Sequence, residues 1–346
     1  MSKITYLEAA LQAIREEMRS DARVFVMGED IQSGVFGDFG LHEFGPERIR
    51  DTPISEGAFL GAGIGAALTG MHPVVDLQCS TFLYSAMDQV ANQASKSRYM
   101  FGGQSSVPLV IRAAVFYGIS AAAHHSDRPW GLFAQVPGLT VLVPATPYDV
   151  KGLLKSAIRG RNPVLCLEEI GVRGRYGEVP DHDYTVPIGV ADVKRLGSDL
   201  TIVSLGASVH CSLDAAEKLA SEGISAEVVD IRTVTPLDRQ AIRKSVEKTG
   251  RLIVVDPAPG MCGVASEVSA TVAETTFERL KGPIIRLTAP EIPVPFSPEL
   301  ERLMYPTAED IAHAARKLCR PQALFETRAT TGSLAASAVE YDHRGW

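Results

Sequence analysis

Residues 51–78 read DTPISEGAFLGAGIGAALTGMHPVVDLQ. The stretch opens on a turn. It then runs through a Gly/Ala-rich segment, near 57–69, that reads as a buried helix. His72-Pro73 interrupts the apolar run, and residues 74–77 read as a buried strand. A membrane span needs about 20 apolar residues without such a break. The unit is therefore a helix packed on a strand inside a larger α/β array.

The same alternation continues outward on both sides. Upstream, Thr5 and Glu8 have capping-box spacing, and Leu7, Ala10, Leu11 and Ile14 share one helical face. A short strand follows at 23–27. Downstream, the pattern predicts a helix near 82–97, strands at 107–113 and 140–143, a helix after Thr146-Pro147, and a strand at 164–167. Strands that alternate with helices imply a mostly parallel sheet with helices on both faces. Residues 171–190 are polar and unpatterned and read as a linker. The alternation then restarts, with strands at 200–204, 226–230, 252–255 and 284–287, helices between them, and a last helix at 308–319. The expected architecture is two doubly wound α/β domains, 1–190 with its linker and 191–320. The tail 321–346 is polar and rich in small residues, a composition that favours disorder.

Composition agrees. At 346 residues the chain suits two domains, and 45% hydrophobic with 22% charged residues is an ordinary globular balance. A net charge of -7 argues against nucleic-acid binding, which draws on phosphate neutralisation by Lys and Arg. The five cysteines are scattered and none forms a CxxC pair. That speaks against a disulfide framework or zinc site and fits a reducing cytoplasm.

Three places combine loop position with reactive groups. Glu56 precedes the Gly/Ala helix. It is either part of a helix cap or, if buried, a carboxylate whose pKa burial raises. Phe82 follows the strand ending at Gln78, at the carboxyl edge where open α/β sheets bind ligands. It either stacks on a planar ring or packs inward. His124-His125 lie in a long loop and read as an acid/base pair or as solvated side chains; adjacent residues rarely share one metal ion. There is no GxxxxGK[ST] loop and no HExxH. Gly61-Ala-Gly-Ile-Gly follows Ser-Glu instead of a strand, so it does not read as a dinucleotide fingerprint. Gly206-Ala-Ser also falls short of that pattern.

Seven blocks, in order, resemble one family across roughly residues 1 to 320: MGEDI (27–31), FGPERIRDTPISEGAFLGAGIGAALTGMHPVVDLQ (44–78), DQVANQASKSRYMFGGQ (88–104), PLVIR (108–112), HHSD (124–127), VPGLTVLVPATPYDVKGLLKSAIRGRNPV (136–164) and TAPEIPVPFSPELE (288–301). The family is the β subunit of thiamine-diphosphate-dependent 2-oxo acid dehydrogenases, of pyruvate, branched-chain and acetoin type, within the transketolase-like enzymes. The resemblance implies that Glu56 bonds the aminopyrimidine ring nitrogen and favours the tautomer that generates the thiazolium ylide. It implies that Phe82 stacks on that ring, with Ile54 and Gln78 lining the same pocket. His125 matches the family's catalytic histidine, which assists later steps and acyl transfer to a lipoyl arm. Val107, Leu109, Val110, Ala157, Gly160 and Asn162 fall where relatives hold a structural potassium ion.

The Gly-Asp-Gly followed by Asn that holds diphosphate and Mg2+ in such enzymes is absent; Gly37-Asp38-Phe39 is the nearest fragment. The resemblance places that motif on an α subunit, in an α2β2 assembly that docks a lipoyl acyltransferase core. Asp127 replaces the family's Gln, and Trp130 is bulky, so both are expected to shape the substrate pocket. A split transketolase-like enzyme, transferring a ketol or acyl group without a lipoyl partner, is the alternative.

Overall fold

The computed structural model describes residues 1–34 and 37–320. Its strands, in chain order, are β1 (Ser2–Thr5), β2 (Val24–Gly28), β3 (Ile49–Asp51), β4 (His72–Cys79), β5 (Val110–Val115), β6 (Thr140–Leu142), β7 (Val164–Glu169), β8 (Tyr176–Val179), β9 (Asp192–Arg195), β10 (Leu200–Ser204), β11 (Ala226–Asp230), β12 (Thr233–Thr235), β13 (Leu252–Pro259) and β14 (Ile285–Ala289). The first large sheet has the order β12-β6-β7-β5-β4-β2-β3 and the second β14-β13-β10-β11-β9. β12 and β9 join their sheets antiparallel; the other pairings in both sheets are parallel. The expected pair of doubly wound domains is borne out. β12 comes from the second half of the chain yet pairs with β6, so the first sheet extends into the second domain.

The central strands β4, β5 and β7 are buried almost throughout, which is why they read as continuous apolar runs. Successive residues serve opposite faces. Val74 and Val110 pack with the helices Tyr6–Ser20 and Pro147–Ile158. Val75 and Ile111 pack with Phe59, Leu60 and Ile64 of the helix Glu56–Leu68. That helix approaches closely because it carries glycine: a Cβ on Gly63 would stand 2.6 Å from Val75 Cγ2. Thr5 caps the first helix by accepting the Glu8 N–H, and Thr146 caps the helix beginning at Pro147.

Two expectations need correction. The helix anticipated near 82–97 begins later: a separate 3-10 turn spans Ser80–Tyr84, and the chain is then helical from Met87 to Met100 with a π segment at Gln89–Ala94. The linker 171–190 contains β8, which pairs antiparallel with β1, Ser2 opposite Val179. Both strands are four residues long and only partly buried, so neither shows the alternation that marks a half-buried strand. The tail expectation lies outside the described residues. No described helix is long and apolar enough to cross a membrane.

Candidate active site

Strands β2 and β4 are neighbours, and Glu29 and Gln78 sit at their carboxyl ends. Beneath them lies a buried ion group. Arg112 Nη1 is 2.8 Å from Asp76 Oδ2, and its Nε and Nη2 are 2.7 and 3.1 Å from the two Glu168 oxygens. Such a group is tolerable in a core only when paired and well bonded, as here. The other Asp76 oxygen accepts the Gln78 N–H at 2.8 Å. Gln78 has φ 58°, uncommon outside glycine, and this bond holds it there. Its Nε2 then donates to the Glu29 carbonyl at 2.5 Å. The ends of β2 and β4 are thereby tied together.

Glu29 is 4% exposed, and its Oε2 has no hydrogen-bond partner among the described residues. Burial pushes its carboxyl above the ordinary range, and the charges of Glu56, Asp30 and Asp76 push the same way. Glu56 is the first residue of its helix, where free N–H groups favour negative charge. Ser55, the residue before it, makes no side-chain cap bond. Glu56 is only half-buried in this chain, and the desolvated carboxylate is Glu29 instead. A Cβ on Gly57 would lie 3.6 Å from the Ser85 carbonyl, so the helix start rests against the turn that carries Phe82.

That turn grips the histidine loop. Cys79 Sγ reaches the His125 carbonyl at 3.4 Å, Thr81 Oγ1 donates to the His124 carbonyl at 2.5 Å, and Ser80 Oγ donates to the Asp127 carbonyl at 2.8 Å. The Phe82 and His125 rings meet at 5.7 Å. His124 is exposed and His125 half-buried; among the described residues no group of three His, Cys, Asp or Glu is placed to hold a metal ion.

The structure thus gathers Glu56, Gln78, Phe82 and His125 and adds Glu29. Glu29 stood in the MGEDI block, and its place directly after a buried strand was the signal for it. Ile54 stands apart, 78% exposed on the turn before the helix. The potassium positions fall on two adjoining turns. Val107 donates its N–H to the Arg161 carbonyl, Leu109 and Ala157 carbonyls accept from Val164 and Gly160, and Asn162 Oδ1 accepts from Arg98. Val110 opens β5. Asp127 accepts the Tyr84 hydroxyl at 2.9 Å. Trp130, expected beside the substrate, is fully buried and donates to Asp256 of the second domain at 3.0 Å. Its bulk fills the domain junction.

Residues 2–170 match the transketolase pyrimidine-binding domain, and residues 189–311 match the transketolase C-terminal domain. The chain is 46% identical to the β subunit of acetoin:2,6-dichlorophenolindophenol oxidoreductase of Cupriavidus necator, over 91% of this chain and 97% of that protein. It is 44% identical to the 2-oxoisovalerate dehydrogenase β subunit of Bacillus subtilis, over 92% and 99%. The chain belongs to this family of dehydrogenase β subunits. The resemblance read from its seven blocks is borne out. Among solved structures, the split-gene transketolase inactive β4 tetramer shares the fold with the family member described here: TM-score 0.76, 24% identity, 91% of this chain and 98% of that one.

Proposed function

We propose that this chain is the β subunit of a thiamine-diphosphate-dependent dehydrogenase that acts on a 2-oxo acid, or on acetoin, and passes the acyl group to a lipoyl arm. The observation that carries the reading is the lip formed by Glu29, Glu56, Gln78 and Phe82 at the ends of β2 and β4, facing His125. The residues fit the cofactor's aminopyrimidine half. Glu29 offers a buried carboxylate with an unpartnered oxygen, Glu56 an acid at a helix start, and Phe82 a flat apolar face.

Thiamine diphosphate, when bound, supplies an acidic carbon that adds to carbonyl groups and accepts the electrons released on cleavage. Glu56 holds a proton at the aminopyrimidine ring nitrogen. Glu29, kept protonated more readily by burial, limits the negative charge around Glu56. Gln78 braces the pocket floor. His125 moves protons on the substrate side.

The diphosphate and Mg2+ fall to an α subunit, since Gly-Asp-Gly is missing here. That subunit covers Ile54 and completes an α2β2 tetramer on a lipoyl acyltransferase core. The carbonyls around Val107 and Ala157 are the place for a structural K+. The free cysteines suit the cytoplasm. Native co-purification tests the reading. The expected partner carries Gly-Asp-Gly followed by Asn, and thiamine diphosphate with Mg2+ binds the complex and not this chain alone. Equal affinity for the isolated chain overturns it. A partner recovered without a lipoyl acyltransferase moves the reaction to a stand-alone transferase.

A further inference from the structure

We propose that Arg128 is the positioning residue of the His125 loop, and that through it the second domain sets the loop's shape. The inference rests on the reading of His125 as a participant in acyl transfer.

The loop between Val115 and Trp130 is strained. Ser120 and Ala122 have φ of 58° and 60°, conformations that persist in residues other than glycine only where the surroundings impose them. The turn after β4 imposes one side. Arg128 imposes the other. It is buried, and its guanidinium carbon lies 4.6 Å from the Tyr117 ring centroid and 4.0 Å from that of Tyr305. The two rings also meet edge to face at 5.2 Å. Tyr117 stands where the loop begins, Arg128 where it ends, and Tyr305 belongs to the second domain. One cation between two aromatic faces therefore closes the base of the loop and fastens it across the domain junction.

The charge of Arg128 is committed in the same place. Its Nε lies 3.1 Å from Glu169 Oε1 at the end of β7. Burial opposes ionisation, but the Glu169 charge together with Tyr305 and Tyr117 holds the guanidinium above its ordinary pKa. Glu169 Oε2 accepts the N–H of Ala207, again from the second domain, at 2.5 Å. A side chain on Gly206, at φ 53°, would collide with that oxygen. The Gly206-Ala207 turn thus has a task unrelated to phosphate: it lets the second domain approach Glu169. Finally, buried Glu301 accepts the N–H groups of Gly118 and Ser120 at 2.6 and 2.9 Å. Tyr305 and Glu301 of the second domain bear directly on a loop whose working residue belongs to the first, and Ala207 bears on it through Glu169. Arg128 is buried and its contacts are with Glu169, Tyr117 and Tyr305, so its part in the chemistry is the placement of His125.

Three variants test this: Arg128→Ala, Tyr305→Leu and Glu301→Gln. The last two keep the Arg128–Glu169 pair, which Arg128→Ala breaks, leaving a buried carboxylate alone. The first readout is amide hydrogen exchange of the full chain. Exchange in residues 116–127 is expected to rise roughly tenfold or more in Tyr305→Leu and Arg128→Ala, with the core strands β4, β5 and β7 unchanged. The second uses the assembled complex. Acyl transfer to a lipoyl acceptor should fall, exchange of the thiamine C2 proton should stay normal, and Arg128→Ala added to His125→Ala should cost nothing more, since both act through one group. Unchanged loop exchange in Tyr305→Leu and Glu301→Gln overturns the proposal, and so does an additive double variant. If His125→Ala alone leaves acyl transfer intact, the role of His125 fails, while the exchange data still decide whether Arg128 clamps the loop.

Discussion

The Phe82 and His125 rings meet edge to face, with centroids 5.7 Å apart and planes at 68°. Phe82 lies on the turn that leaves β4, and His125 on the loop that follows β5, its neighbour in the sheet. Two strand ends thus present one composite edge, with an aromatic face on one side and an imidazole on the other. Phe82→Leu keeps the apolar bulk and removes the ring. Aromatic pairs contribute about 0.5–1.5 kcal/mol beyond area burial. Cofactor affinity of the assembled complex should fall roughly two- to tenfold by calorimetric titration. Unchanged affinity would take Phe82 out of the stacking role.

Glu56→Gln keeps the size of the side chain and its place at the helix start but removes the exchangeable acid. General acid–base groups contribute roughly 10²–10⁴-fold to rate. Exchange of the thiamine C2 proton with deuterium should slow by about that factor, with the circular dichroism spectrum unchanged. Near-normal exchange in the assembled complex would sink the assignment.

Glu29 makes an independent prediction, because its carboxyl is pushed above its ordinary value by burial and by the Glu56 charge. A raised folded-state value means that the folded chain binds this proton more tightly than the unfolded chain. The stability it contributes is complete at low pH and is lost as pH rises through the folded-state value. Glu29→Gln has no proton to lose. Its stability relative to the parent should therefore improve on going from about pH 4 to about pH 7.5, read from urea midpoints. A gap that stays constant with pH would mean that folding does not shift the Glu29 carboxyl.

His125→Ala should leave thiamine diphosphate affinity intact and reduce acyl transfer to a lipoyl acceptor by roughly 10²-fold or more. Single-turnover kinetics that resolve cofactor binding from transfer would show the split. Equal loss of both would assign His125 to cofactor binding.

Most of both sheets is legible in the sequence, because a buried parallel strand is an apolar run bounded by turns, as at β4 and β10. The polar pair β1 and β8 is not: among the described strands each pairs only with the other, and both bury little, so no periodicity marks them. The segment from Ser80 to Met100 carries helical spacing but changes pitch twice, which apolar spacing does not encode. For the site, spacing alone offers a helix cap at Glu56 and a solvated histidine at 125. The family blocks supply the chemistry. The contacts of Arg128 and Glu29 escape both kinds of reading, although Glu29 lies within the MGEDI block. Arg128 meets Glu169 and Tyr305, and Glu29 meets Glu56 and Gln78, only once the chain has folded.

Trp130 and Asp256 give the last prediction. Burial pushes the Asp256 carboxyl up to about 6, although the Ala258 and Ala265 N–H groups, the Trp130 indole and the Arg128 charge all favour its ionised form. Since the folded value lies above the unfolded one, the parent chain loses stability as pH rises from about 4 through about 6. Trp130→Phe keeps an aromatic ring in the domain junction and deletes one donor to the carboxylate. Two costs follow. The smaller ring leaves a void, which costs the same at every pH. The lost bond to a charged acceptor costs roughly 1.5–3 kcal/mol, but only where Asp256 is ionised. Without the indole the folded value moves higher still, so the variant goes on losing stability after the parent has levelled off. Urea denaturation at about pH 5 and about pH 8 should therefore show a larger destabilisation at the higher pH. A difference that ignores pH would make Trp130 a packing residue alone, with no electrostatic share in joining the two domains.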